Sequence, residues 1–279
     1  MIAFLNGKFL PGQEAFISIN DRGFLLGDGL FETIRVARGR PFRMAQHLER
    51  LMRGLDLFKL APGFSAREMQ GYAAELIRLN SLDEGVLRLT VSRGSGERGY
   101  SVRGQQVPTV ALTLHELPAP ATDEPLQWSL VTSPYRLPAS DGVGGIKSIS
   151  RALNVLARAE AEARGADEAL LLNTNGEAAE AAGGNLFWIY REQVCTVPTG
   201  RGVLPGITRA VVLEICQNLG LATNKRVIKP EMLRNAEGLF ITNSALGIVP
   251  VAAFDGEPVA PSPLVDQIAN AYDALLQNE

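Results

Sequence analysis

Lys147 and Glu180 are the two side chains whose types and spacing could carry covalent chemistry. Lys147 stands in GGIKSIS, just before the alanine-rich run from Arg151 to Arg164. Glu180 stands in NGEAAEAAGG, a run of small residues that leads into the apolar NLFW. A lysine amine can condense with a carbonyl, and a carboxylate facing a pyridine nitrogen keeps that nitrogen protonated so that the ring can take up electrons. One amine and one acid, each on a regular element and separated by a helix and a turn, are what a pyridoxal phosphate enzyme needs. Both residue types are also common solvated surface groups, so the pair gains meaning only from the rest of the chain.

Other stretches offer binding chemistry. In Leu204-Pro205-Gly206-Ile207-Thr208-Arg209 a loop opens directly onto a helix, which leaves the Ile207 and Thr208 amides and the Thr208 hydroxyl able to face an anion. Read alone, it is first of all an ordinary helix start with a threonine in its first turn. Thr242-Asn243-Ser244, after the apolar GLFI, is either a hydrogen-bonded turn or a second set of phosphate donors. Arg50, on a helix face among leucines, is a solvated side chain or a cation opposing a phosphate.

Two familiar patterns fail on context. Gly94 to Gly99 (GSGERG) fits the dinucleotide fingerprint, but the chain continues as YSVRGQQVP into another strand, so no helix N-terminus follows to hold a pyrophosphate. The loop is a plain connection, or it presents Arg98 and Tyr100 to a ligand carboxylate, for which a guanidinium fork is well shaped. Gly144-Gly145-Ile146-Lys147-Ser148 resembles the tail of a P-loop, yet Ile146 stands where glycine must precede the lysine. With His47 and His115 as the only histidines, neither a histidine metal site nor a Ser-His-Asp triad is supported, and His47 reads as structural.

These residues need elements to place them. Ile2–Leu5 and Lys8–Leu10 around Asn6-Gly7 read as a hairpin with a primed turn. Leu30–Val36 reads as a strand, and Pro41–Leu60 shifts to helical spacing. Ser65–Asn80 is a second amphipathic helix with Ser65 as N-cap and Glu68 three residues on. Gly85–Ser92 and Thr109–His115 are strands around the glycine-rich loop. Further on, Leu126–Thr132, Glu168–Asn173, Ala178–Ala182, Asn185–Tyr190, Val194–Val197 and Gly238–Ile241 read as strands, with a hairpin at Asn175-Gly176. Arg151–Arg164, Gly206–Leu219 and Leu264–Leu276 read as helices. Strands that cluster rather than alternate with helices indicate an α+β fold. The Pro- and Ala-rich LPAPATDEP suggests two domains, 1–117 and 126–279, joined by a linker at 118–125.

The bulk properties narrow the partners. The 279 residues are 46% hydrophobic and 20% charged, with a net charge of −3. That balance gives no electrostatic reason to expect nucleic acid or an anionic membrane surface. No run of about 18 apolar residues could span a bilayer, and the start MIAFLNGKFLPG lacks the basic-then-apolar layout of a secretory leader. A cytoplasmic location is expected. Cys195 and Cys216 have no metal or redox spacing and read as small buried apolar groups.

Taken together, DRGFLLGDGLFETIRV, HLERL, SRGSGERGYS, GIKS followed by NVLARAEAEARGADEAL, NLFW, GVLPGITR and TNSALGIVPV resemble the class IV aminotransferase family, the pyridoxal 5′-phosphate enzymes of fold type IV. The likeness covers nearly the whole chain. It implies a small N-terminal α/β domain and a larger C-terminal domain built on a pseudo-barrel of strands. It implies Lys147 as the Schiff-base lysine and proton carrier, Glu180 as partner of the pyridine nitrogen, and Arg50, the Ile207 and Thr208 amides and Ser244 as holders of the phosphate. Arg98, Tyr100 and Phe31 would meet the substrate, and the active form would be a homodimer with the Arg98 loop near its interface.

Within the family, D-amino acid aminotransferases carry Arg-x-His and a tyrosine where this chain has Arg98-Gly99-Tyr100 and Phe31, and branched-chain enzymes have a GTAAEI-like segment at Asn243–Ile248. SRGSGERGYS, NLFW and TNSALGI are most similar to aminodeoxychorismate lyase. Leu26 before GDG and Val249, where lyases commonly have tryptophan, depart from that pattern. The expectation is a lyase, with D-amino acid or branched-chain aminotransfer as the alternative and a non-catalytic binding protein as a more distant one.

Overall fold

The structure, a computed structural model, describes residues 1–104, 107–117, 125–139, 142 and 144–279. Most of the linker expected at 118–125 therefore lies outside the described residues. The chain divides into two compact units. One comprises Met1–Pro118, Lys147–Arg151 and Glu279, and the other Ala119–Ile146 and Ala152–Asn278.

The first unit contains β1 (Ile2–Leu5), β2 (Lys8–Pro11), α1 (Arg22–Leu26), β3 (Gly29–Ala37), β4 (Arg40–Pro41), α2 (Met44–Leu57), α3 (Ala66–Asn80), β5 (Gly85–Ser95) and β6 (Val107–His115). Its strands form one antiparallel sheet in the order β2-β1-β6-β5-β3-β4. Asn6 and Gly7 both take positive φ, 47° and 91°, which gives the first hairpin the primed turn that matches strand twist. Ser65 caps α3 reciprocally with Glu68, as the sequence predicts. Alternation along β3 puts Leu30, Glu32, Ile34 and Val36 on one face, packed on α2, and Phe31 on the other.

Two elements differ from the sequence reading. Arg22–Leu26, to which the sequence reading gives no element, forms α1. The Asp21 side chain accepts from the Gly23 N–H at its start, and Gly27, at φ 67°, closes it. The glycine-rich loop is also shorter than expected, because β5 continues to Ser95 through a bulge. Gly94 sits there at φ 75°, where a Cβ would lie 1.7 Å from the Val107 carbonyl oxygen.

The second unit contains β7 (Trp128–Leu137), α4 (Ala152–Ala163), β8 (Glu168–Asn173), β9 (Ala178–Ala181), β10 (Asn185–Tyr190), β11 (Gln193–Thr196), α5 (Ile207–Asn218), β12 (Thr223–Lys225), α6 (Pro230–Leu233), β13 (Gly238–Asn243), β14 (Gly247–Phe254), β15 (Glu257–Pro258) and α7 (Pro263–Asn278). Strands β10-β13-β14-β7-β8-β9 pair in sequence, and β9 pairs back onto β10, so six strands close into a barrel. Leu170, Leu186, Trp188, Ile241, Val249 and Val251 are among its buried core. Strand β14 escapes sequence reading because Pro250 argues against a paired strand. Among the described residues, no helix is long and apolar enough to cross a membrane.

Candidate active site

Lys147 is fixed by its backbone. Its carbonyl accepts from the Phe31 N–H at 2.9 Å, and the Ile149 N–H donates to the Gly29 carbonyl at 3.0 Å, so the segment pairs with the start of β3. The Lys147 Nζ lies 4.5 Å from the centre of the Phe31 ring. The guanidinium groups of Arg88 and Arg151 lie 4.1 Å and 5.8 Å from the same ring, which is 8% exposed. Each cation gains from the ring face, on the order of 0.5–2 kcal/mol. Together they make a positive surface suited to an anion. Arg88 has no hydrogen bond or ion pair among the described residues, and burial pushes its pKa down. A guanidinium still stays charged, so it is open to a carboxylate.

On the opposite face of β3, Arg50 is buried rather than solvated. Its Nε and Nη2 donate to the two oxygens of Glu32 at 2.8 and 2.5 Å, and His47 Nδ1 lies 2.7 Å from Glu32 Oε2. Burial disfavours the Glu32 charge, but hydrogen bonds from Arg50 and His47 outweigh it and hold the carboxyl below its usual range. Burial also keeps the His47 imidazole below its ordinary pKa, despite the pull of Glu32, with Arg50 and Lys147 adding to the effect. His47 is thus a neutral donor that steadies Glu32.

Asp28 forms a second hub. Its Oδ2 accepts from Arg22 Nε at 2.9 Å and from Arg93 Nε at 2.8 Å. Arg93 donates onward to the Phe58 and Lys59 carbonyls at the end of α2, the helix that carries Arg50. Arg98 and Tyr100 lie on the exposed loop after β5, Tyr100 with 88% of its surface accessible.

The other expected residues belong to the second unit. Glu180, on β9, is buried, and its Oε2 accepts from the Asn185 side chain and from the Leu204 N–H, both at 3.0 Å. Asn185 also donates to the Leu204 carbonyl at 2.9 Å, so one side chain ties β10 to the loop before α5. Arg209 is buried in the first turn of α5. Burial lowers its pKa, and the Glu180 charge opposes that. Ile207 and Thr208 open α5 with no side-chain cap, and their N–H groups have no hydrogen-bond partner among the described residues. Ser244 sits in the turn between β13 and β14, where Asn243 Oδ1 accepts from the Ala245 and Leu246 N–H groups.

These residues fit the cofactor. A Cβ at Gly206 would fall 2.0 Å from Asn185 Oδ1, so bare backbone approaches closely there. An uncapped helix N-terminus suits a phosphate, and a buried, doubly anchored carboxylate suits a protonated ring nitrogen. Glu32, Arg88 and Asn185 are contacts the sequence reading missed. The lone acid in LFETIRV, at an otherwise apolar position of the alternation, and the lone arginine in VLRLTV are the signals that were available.

Residues 29–254 match the model of a known family, described as amino-transferase class IV. The chain belongs to the class IV aminotransferase family. Its members depend on pyridoxal 5′-phosphate, and so does this enzyme. The relatives carry several activities. A Methanocaldococcus jannaschii protein assigned as a branched-chain-amino-acid aminotransferase is 32% identical over 93% of this chain and 90% of its own. A D-alanine aminotransferase of Bacillus licheniformis is 28% identical over 100% and 98%. An aminodeoxychorismate lyase of Bacillus subtilis is 30% identical over 88% and 84%. Among solved structures, the branched-chain aminotransferase of the thermophilic archaeon Thermoproteus uzoniensis, with norvaline, superposes with a TM-score of 0.93 at 26% identity, covering 100% of this chain and 95% of that one. The fold is that of the type IV enzymes, with a closed six-strand barrel in the C-terminal part.

Proposed function

We propose that this class IV enzyme is an aminodeoxychorismate lyase, converting 4-amino-4-deoxychorismate to 4-aminobenzoate and pyruvate. The observation that carries the reading is Arg88, a half-buried guanidinium stacked on Phe31 with no partner among the described residues. The substrate bears two carboxylates, and Arg88 beside Lys147 and Arg151 gives them cations that D-alanine would need less. The lyase-like SRGSGERGYS, NLFW and TNSALGI support the same choice.

When bound, pyridoxal 5′-phosphate supplies an electron sink for charge that develops on the substrate carbon next to the amine. Lys147 would hold the cofactor through its amine, Glu180 would keep the ring nitrogen protonated, and Arg50, the Ile207 and Thr208 N–H groups and Ser244 would hold the phosphate. Once the substrate amine displaces it, the freed Lys147 Nζ takes the proton from the amine-bearing carbon. The bond from the adjacent ring carbon to the enolpyruvyl oxygen then breaks, the departing enolate takes a proton at its methylene carbon to become pyruvate, and the ring becomes aromatic. Arg98, Tyr100 and Phe31 meet the substrate and fix its orientation.

A homodimer belongs to this reading. Phe16, Ile17, Ile19, Phe24, Leu25 and Leu26 are all exposed within one short stretch, an apolar surface that a second copy would cover. The two buried, unbridged cysteines suit the reducing cytoplasm.

Aminodeoxychorismate alone, with no keto acid added, should yield 4-aminobenzoate and pyruvate in equal amounts. Turnover of D-alanine with 2-oxoglutarate, and none of aminodeoxychorismate, would overturn the lyase in favour of D-amino acid aminotransfer. The full-length match to a D-alanine aminotransferase favours that second reading.

A further inference from the structure

We infer that Arg22 is a positioning residue for substrate binding, acting by fixing the backbone on both sides of Arg98. This rests on the proposal that Arg98 meets a substrate carboxylate. The Arg22 Nη1 donates to the carbonyls of Glu97 and Gly99, at 3.3 and 2.8 Å, and these are the two residues that flank Arg98. Its Nε is held at the same time by Asp28. The stem of Arg22 lies against Gly96, where a Cβ would be 3.1 Å from Arg22 Cδ.

The loop needs such an anchor. Arg98 makes no hydrogen bond or ion pair among the described residues, Gly99 takes φ 94°, and the Tyr100 side chain stands in solvent. Left to itself, a glycine-rich segment of this kind would sample many conformations, and ordering it would weaken binding. Arg22 is 5% exposed, and its Asp28 partner is also gripped by Arg93. The anchor is therefore rigid before substrate arrives. A guanidinium can reach a carboxylate and two carbonyls at once with a fixed fork, which a lysine ammonium on a flexible stem cannot. A residue that merely stabilised the fold would not need both of its carbonyl contacts to bracket a single loop arginine.

The test uses the cofactor-loaded enzyme and compares Arg22→Gln, Arg22→Lys and Arg98→Ala. Arg22→Gln should raise KM about tenfold while kcat stays within about threefold, the pattern of lost orientation in binding. Deuterium uptake across residues 96–104 should quicken, and the visible absorbance of the bound cofactor should be unchanged. Arg22→Lys should resemble Arg22→Gln, and it stands in if the glutamine variant fails to fold. Adding Arg22→Gln to Arg98→Ala should raise KM no further. Unchanged KM and uptake in the Arg22 variants, with a raised KM in Arg98→Ala, would overturn the positioning role and leave the carboxylate reading intact. An unchanged KM in Arg98→Ala would sink the carboxylate reading. Uptake alone then decides the anchor: faster exchange upholds it, and unchanged exchange overturns it.

Discussion

Glu180 and Asn185 face each other as the register pair that closes the barrel, and the same two side chains are joined by a 3.0 Å hydrogen bond from Asn185 Nδ2 to Glu180 Oε2. The acid assigned to the ring nitrogen is therefore held at a seam of the scaffold, not on a loop. Asn185→Ala removes one of the hydrogen bonds that Oε2 accepts. The lost bond to a buried charge is worth about 1–3 kcal/mol. Titration of the apoprotein with pyridoxal 5′-phosphate should show an affinity roughly tenfold weaker, by the same free energy. Unchanged affinity would remove Asn185 from the supporting set.

Gly206→Ala tests the phosphate assignment. Its new methyl would collide with Asn185 Oδ1 and shift the first turn of α5. Affinity for pyridoxal 5′-phosphate should fall by more than affinity for pyridoxal, which lacks the phosphate. An equal loss for both would mean that the α5 amides do not hold that group.

Glu32→Ala strands Arg50 in a buried position without its carboxylate. Breaking such a pair from one side costs about 3–5 kcal/mol. Urea unfolding of the apoprotein should show a loss of that size, with a smaller one for Glu32→Gln, which keeps the volume and one acceptor. A neutral result for Glu32→Ala would mean that the other contacts of Arg50 are enough to hold its charge.

Asp28 gives the fold an acid limit. Burial opposes its charge, but Arg93 and Arg22 prevail and hold it below the ordinary 3.8. The folded form thus binds fewer protons than the unfolded one. The contribution of Asp28 is complete above about pH 4 and is lost as pH falls through the depressed folded value. Asp28→Asn should lower stability at neutral pH and flatten its decline in acid, measured by chemical denaturation across pH. An unaltered acid slope would contradict the assignment.

Lys147→Ala should abolish turnover, and borohydride should no longer attach the cofactor to the protein. Full turnover in this variant would remove the lysine from the chemistry and revive a reading in which the scaffold works without it.

Much of this architecture was legible in the sequence, for local reasons. Asn6-Gly7 and the Ser65–Glu68 box are short-range signals, and both form as expected. Lys147 and Glu180 stand out because an amine and an acid interrupt runs of small or apolar residues, although Glu177 shares the run of Glu180. What stayed hidden depends on partners distant in the chain. Strand β14 carries a proline and is recognisable only from its neighbours β13 and β7. The burial of Arg50 depends on Glu32, which spacing within α2 does not reveal, and Arg22 looks like any loop arginine until its two carbonyls are seen.

The backbone pairing of Lys147 with β3 bears on how this enzyme could be altered. Main-chain groups of Phe31 and Gly29 set the height of the amine, so the side chains of Ile146 and Ser148 have little say in it. Substitution at either neighbour should therefore leave the proposed Schiff-base amine in place. Drastic remodelling at the start of β3 carries the opposite risk, since it would move that amine.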